Sequence, residues 1–103
     1  MVEDLAGVDI SVVARLLAER PRADMAMALL GGRALSAGKL ARAAGLSPSA
    51  ASAHLARLES GGVVLAEAQG RQRIFRLAGP AYAAVIVWLR PVETVPAKDV
   101  SPP

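Results

Sequence analysis

Cysteine is absent from the 103 residues, which excludes disulfides, thiolate chemistry and any metal centre held by sulfur. Histidine occurs once, and so do Phe, Trp and Tyr. A lone imidazole, no thiol and no paired carboxylates in a cleft-like setting leave nucleophile–base schemes without their parts, so no enzymatic activity is expected. No apolar run approaches the ~20 residues that a membrane span needs. The start, Met1-Val2-Glu3-Asp4, is acidic and leads into no signal-like stretch, so a cytoplasmic protein away from membranes is expected. Hydrophobic residues nevertheless make up 53% of the chain. With aromatics so scarce, the core must be Leu, Val, Met and above all Ala, a composition that favours closely packed helices.

The net charge of +3 is small, but its distribution is uneven. Between Arg33 and Arg76 lie seven basic residues (Arg33, Lys39, Arg42, Arg57, Arg71, Arg73 and Arg76) and only Glu59 and Glu67 as acids, a net +5 against −2 for the remainder. A basic middle between mildly acidic ends suits a polyanionic partner. Charge alone leaves an ordinary solvated surface equally open.

Along the chain, residues 1–7 read as a loose arm. From Asp9 or Ser11, either a fair cap, Val12, Val13, Leu16 and Leu17 recur at helical spacing, and the first helix is expected to end near Arg20, before Pro21. A second helix is expected from about Arg22 to Leu30, with Met25, Ala28 and Leu29 on one face, stopped by Gly31-Gly32. Ser36 caps a third helix through Ala44, closed by Gly45. Ser47-Pro48 then pairs a capping hydroxyl with proline at the first helical position, opening a fourth helix over Pro48 to Ser60 with Ala51, Leu55 and Leu58 inward. The runs Val63–Ala68 and Arg71–Leu77 around Gln69-Gly70 predict a hairpin. A fifth helix carries Tyr82, Val85, Ile86, Trp88 and Leu89 and stops at Pro91. Four of the seven prolines lie from Pro91 onward, which predicts a flexible tail.

Two short helices joined by Gly45-Leu46-Ser47 and followed at once by a hairpin have the order of a winged helix-turn-helix. The expected fold class is therefore α+β, mainly α, in the order helix, helix, helix, helix, strand, strand, helix. Residues 1–90 would form the domain and 91–103 the Pro-rich tail. The fourth helix offers Ser49, Ala50, Ser52, Ala53, His54 and Arg57 outward, with Ser47 at its start. Small residues let a helix backbone approach the floor of the major groove, hydroxyls can meet base edges and phosphates, and the helix N-terminus favours a phosphate. Arg71 and Arg73 flank the hairpin tip, from which long cationic side chains can follow the DNA backbone or enter the minor groove.

The stretch from Leu40 to Leu58, with its Leu-Ala, Gly45-Leu46-Ser47 and Ser52-Ala53-His54-Leu55, resembles the ArsR/SmtB family of small repressors. The likeness continues through Gly61-Gly62-Val63-Val64 and Gly70-Arg71-Gln72-Arg73-Ile74-Phe75-Arg76-Leu77, covering roughly residues 20–78. The resemblance implies a homodimeric repressor of operator DNA, packed through its first and fifth helices and released by an effector. Ser49, Ser52 and His54 would contact DNA from the recognition helix, and Arg71 and Arg73 from the wing. The position before His54, commonly long and polar in the family, is Ala53 here. The family's Asp-Pro-x-Arg stands as Glu19-Arg20-Pro21-Arg22, keeping the arginine and shifting the proline.

Sensing transfers less well. Many relatives carry Cys-x-Cys where this chain has Ser36-Ala37-Gly38, and others bind metal through Asp and His on the fifth helix, whereas Pro80 to Arg90 contains no His, Asp or Glu. No cofactor or metal site is expected, and the effector would be a small organic molecule or act through a separate sensing protein. The apolar stripes Val12, Val13, Leu16, Leu17 and Val85, Ile86, Trp88, Leu89 exceed what one small domain readily buries, so Val13, Leu16, Leu17, Val85, Trp88 and Leu89 are the expected dimer interface. A winged-helix module for an acidic protein partner, or the DNA-binding half of a larger regulator, remain as alternative readings.

Overall fold

A computed structural model of the chain describes residues 7–89. The tail expected over 91–103 and all of the N-terminal arm except Gly7 lie outside them. Helix α1 spans Ile10–Leu17, and α2 follows over Arg20–Ala28. The two-residue strand β1, Leu35–Ser36, leads directly into α3, Ala37–Ala44, and then α4, Pro48–Ser60. The hairpin β2, Val64–Gln69, and β3, Gln72–Leu77, precedes α5, Pro80–Leu89. No helix among the described residues is long and apolar enough to cross a membrane.

Asp9 is the cap that opens α1. Its Oδ1 accepts from the amides of Ser11 and Val12 at 3.1 and 3.2 Å, and from the Ser11 hydroxyl at 2.7 Å. That hydroxyl, followed by the Val12 amide, holds the Asp9 carboxyl below its ordinary value of 3.8. A carboxyl whose folded-state value is depressed stabilises the fold fully above the ordinary value and loses that contribution as pH falls through the lowered one. Asp9→Asn keeps a capping oxygen but cannot titrate. Its urea midpoint should therefore lie below that of the parent at neutral pH and converge with it in strong acid. A gap independent of pH would contradict this account of the cap.

Two expected boundaries are corrected. Arg20 begins α2 instead of ending α1, and Pro21 sits in the first turn of α2, where its missing N–H costs nothing. The hairpin turn is Gly70-Arg71, one residue later than expected, because Gln69 pairs with Gln72. Gly70 has φ 62°, and no non-glycine residue among the described ones has positive φ. The first turn position therefore demands the left-handed backbone and the second does not, which suits a Gly-Arg pair in a two-residue hairpin.

The sequence reading missed β1. It pairs antiparallel with β3, Leu35 opposite Phe75 and Ser36 opposite Ile74, giving a three-stranded sheet in the order β1-β3-β2. The start of α3 is thereby fastened to the middle of the wing's second strand. Met25, Leu29, Leu40, Leu55, Leu58 and Ile86 form the centre of one core that joins all five helices' inner faces to the sheet, with Val13, Val64 and Phe75 around it.

Candidate nucleic-acid interface

The helix-turn-helix owes its angle to Gly45. Its φ of 66° reverses the chain, the Gly45 amide donates to the Arg42 carbonyl at 3.2 Å, and the Leu46 amide reaches back to Ala41 at 2.9 Å. Orphan carbonyls at the end of α3 are thus satisfied and the turn is fixed. Two residues on, the Ser47 hydroxyl accepts from the Ala50 amide at 3.2 Å and lies 3.5 Å from that of Ser49. Ser47, expected as a DNA contact, is first of all the cap that starts α4.

Ala51, Leu55 and Leu58 anchor α4 to the core. With about 100° per residue, the opposite side carries Ser49, Ala53, Ala56, Arg57 and Ser60, all exposed. Ser52 lies on the flank toward the wing. Ala56 belongs to this face and was not among the expected contacts. The surface is low and smooth, so the helix backbone itself can come close to a ligand.

His54 does not share that face. It is half-buried on the flank toward α2, with Nδ1 3.1 Å from a terminal nitrogen of Arg22. Arg22 is buried, 9% exposed, and its Nε donates to the Leu16 carbonyl at 2.7 Å. That carbonyl lies in the last turn of α1, where no intrahelical donor is available and the helix dipole is negative. One guanidinium therefore joins the end of α1 to the side of α4. No carboxylate pairs with Arg22 among the described residues. A signal for its burial was present: Arg22, Met25, Ala26 and Leu29 follow the i, i+3, i+4, i+7 pattern of an inward stripe, and all four are buried.

On the wing, Arg71 is exposed at the tip with no partner among the described residues. Arg73 is engaged: it bridges Glu59 at 3.2 Å and its guanidinium carbon lies 5.4 Å from the Phe75 ring centre. Arg76 pairs with Glu67 at 2.8 Å. These exposed bridges are each worth about 0.2–1 kcal/mol, little against the pull of a phosphate. Arg33, Lys39, Arg42, Arg57 and Arg71 remain as exposed cations without a partner among the described residues. Between the start of α3, the wing flank of α4 and β3 lies a cavity of about 330 Å³, lined in part by Ser36, Ser52, Ala56, Arg71 and Arg73. Among the described residues no group of His, Asp and Glu gathers that could hold a metal ion.

The expected interface residues divide. Val13 and Val85 are each 1% exposed and Leu17 is also buried, so these three belong to the protomer's own core and have almost no surface to give a partner. Helical period finds an apolar stripe but does not say what covers it. Leu16 and Leu89 are half-buried, whereas Trp88 is 77% exposed; Val87 and Ile10, which the expectation had left out, are exposed as well.

Residues 20–65 match the family described as "Bacterial regulatory protein, arsR family". The HTH-type transcriptional regulator YdfF of Bacillus subtilis (strain 168) is 36% identical over 78 residues, which are 76% of this chain. The chain spans about a third, 34%, of that relative's length. Among solved structures, HlyU from Vibrio cholerae N16961 superposes with a TM-score of 0.70 at 30% identity, covering 77% of this chain and 85% of the other. A Mycobacterium bovis structure, described as a homodimeric winged helix-turn-helix DNA-binding domain of "a possible ArsR-family transcriptional regulator", gives a TM-score of 0.69 at 29% identity and covers 78% of this chain and 73% of the other. The family is described as one of regulatory proteins and YdfF as a transcriptional regulator, a function with no catalytic step. A helix-turn-helix beside a hairpin wing, matched in sequence and in shape, makes this chain a winged helix-turn-helix member of the arsR family.

Proposed function

We propose that this protein is a homodimeric, cytoplasmic repressor that binds double-stranded operator DNA in a sequence-specific way. Helix α4 enters the major groove through Ser49, Ser52, Ala53, Ala56 and Arg57. The wing follows the flanking backbone or minor groove through Arg71, with Arg73 joining it by exchanging Glu59 for a phosphate. The supporting observation is the smooth exposed face of α4 flanked by an unpaired wing-tip arginine. Such a surface carries little to bury against a protein but admits a helix deep into a groove. No cofactor is assigned; release from DNA would come from a small organic effector or from a separate sensing partner.

Selection of bound sequences from a random DNA pool tests the reading and reveals the operator. A protein that prefers no duplex over random DNA, even at low salt, would refute it. Within the reading, Arg71→Ala should weaken binding to all duplexes and lower the salt slope by about one. Arg73→Ala should have the smaller effect, because its phosphate contact comes at the cost of the Glu59 bridge. Replacing Ser52 should instead change the ranking of sequences. Competition titrations at several salt concentrations separate these three outcomes.

A further inference from the structure

We infer that Arg22 is a positioning residue for DNA binding: it fixes His54 in the tautomer with its proton on Nε2 and turns that N–H toward a phosphate oxygen of the DNA backbone. The inference rests on the DNA-binding reading and assigns Arg22 a part in it. A guanidinium has hydrogen-bond donors and no acceptor. The 3.1 Å contact from Arg22 to His54 Nδ1 therefore makes Nδ1 the acceptor, and the ring hydrogen must sit on Nε2. The donor is itself held: it is buried, and its Nε is tied to the Leu16 carbonyl at 2.7 Å. No hydrogen bond among the described residues uses His54 Nε2, and no buried side-chain nitrogen there lacks a partner, so this atom reaches the surface.

Position on α4 selects the target. His54 follows Ala53 by one residue, about 100° around the helix, on the side away from Ser52 and the wing. A helix in the major groove has a phosphate ribbon along each side and base edges only beneath it. The wing arginines face one ribbon, and His54 faces the other. A neutral ring backed by a buried cation is a polarised donor, yet it brings no charge of its own. It should therefore add affinity without releasing a counter-ion.

The experiment starts without DNA. Because the chain has one histidine, its ¹⁵N resonances in mildly alkaline buffer are unambiguous; protonated Nε2 and bare Nδ1 are expected, and the opposite tautomer would overturn the inference. Arg22→Lys keeps a cation but cannot serve both acceptors with a planar fork. On the selected operator, Arg22→Lys and His54→Ala should each weaken binding about tenfold. The loss should be alike for cognate and mismatched duplexes, with the salt slope unchanged. The double variant should bind no worse than His54→Ala alone. Losses that multiply in the double variant, or a changed ranking of sequences, would overturn the inference. The tautomer and His54→Ala measurements decide it even where Arg22→Lys does not fold. Wild-type protein that binds no duplex overturns both readings. Operator binding that survives both substitutions unchanged overturns only this one.

Discussion

Leu55→Ala is expected to destabilise the folded chain by about 2–5 kcal/mol. Leu55 is among the largest side chains fully buried here, and it belongs with Leu40 and Phe75 to the core cluster that holds the middle of α4 in place. Part of the loss is transfer, about 0.8 kcal/mol for each buried methylene equivalent. The rest is the cavity left behind, which close-packed surroundings fill only in part. Because α4 carries the proposed reading face, the loosened helix should also lose DNA affinity before the fold is lost. Urea unfolding should show a lower midpoint with an unchanged slope. A loss below about 1 kcal/mol would mean that the site collapses around the smaller residue and that Leu55 does not set the position of α4. Ala53→Ser, on the opposite face, is the matching control and should leave stability within about 0.5 kcal/mol.

Trp88→Glu is expected to leave the protomer folded and to abolish the proposed dimer. An indole 77% exposed contributes little to the protomer's own core, yet aromatic residues at the centre of an interface carry much of its binding energy. A carboxylate there would be desolvated without a partner on either copy, since two-fold symmetry brings like charges together. Sedimentation should report a dimer for the parent at micromolar concentration and a monomer for the variant, with similar far-ultraviolet circular dichroism. Loss of the second half-site should weaken binding to a two-fold operator by roughly 10²–10⁴. A parent protein that is already monomeric would remove the basis for this prediction, and a dimer that survives Trp88→Glu would place the interface elsewhere.

The readable parts of the fold were those set by local chemistry. Ser36 and Ser47-Pro48 start α3 and α4 where a hydroxyl cap and a first-turn proline say they should. The hairpin followed from two β-prone runs around a glycine. What failed depended on distance along the chain. Strand β1 is two residues long, too short for any period, and exists only because Phe75 lies beside Leu35, forty positions away. Pro21 was read as a stop, but the same residue is equally at home in a first turn, and only the packing of α2 on α1 decides between them. His54 read as outward because no local rule reveals a buried arginine 32 positions earlier. Val13, Leu17 and Val85 were assigned to a partner because an apolar stripe looks the same whether its own core or a second copy covers it.

Strand β1 also grades the wing in stiffness. Its pairing with β3 is confined to Phe75 and Ile74, so the sheet has three strands at mid-length and two from Arg73 outward. Two-stranded ribbons twist more and are marginally stable by themselves. The wing is therefore a cantilever, clamped at mid-length to the same segment that launches α3 and compliant at its end. Arg71 rides on the compliant part, where, in the proposed complex, it would track variations in groove width by bending a few residues of ribbon. The clamp at Ile74 and Phe75 spares α3 and α4 from following that motion. In the proposed complex, register along the DNA and adaptation to its shape would thus fall to different stretches of one short hairpin.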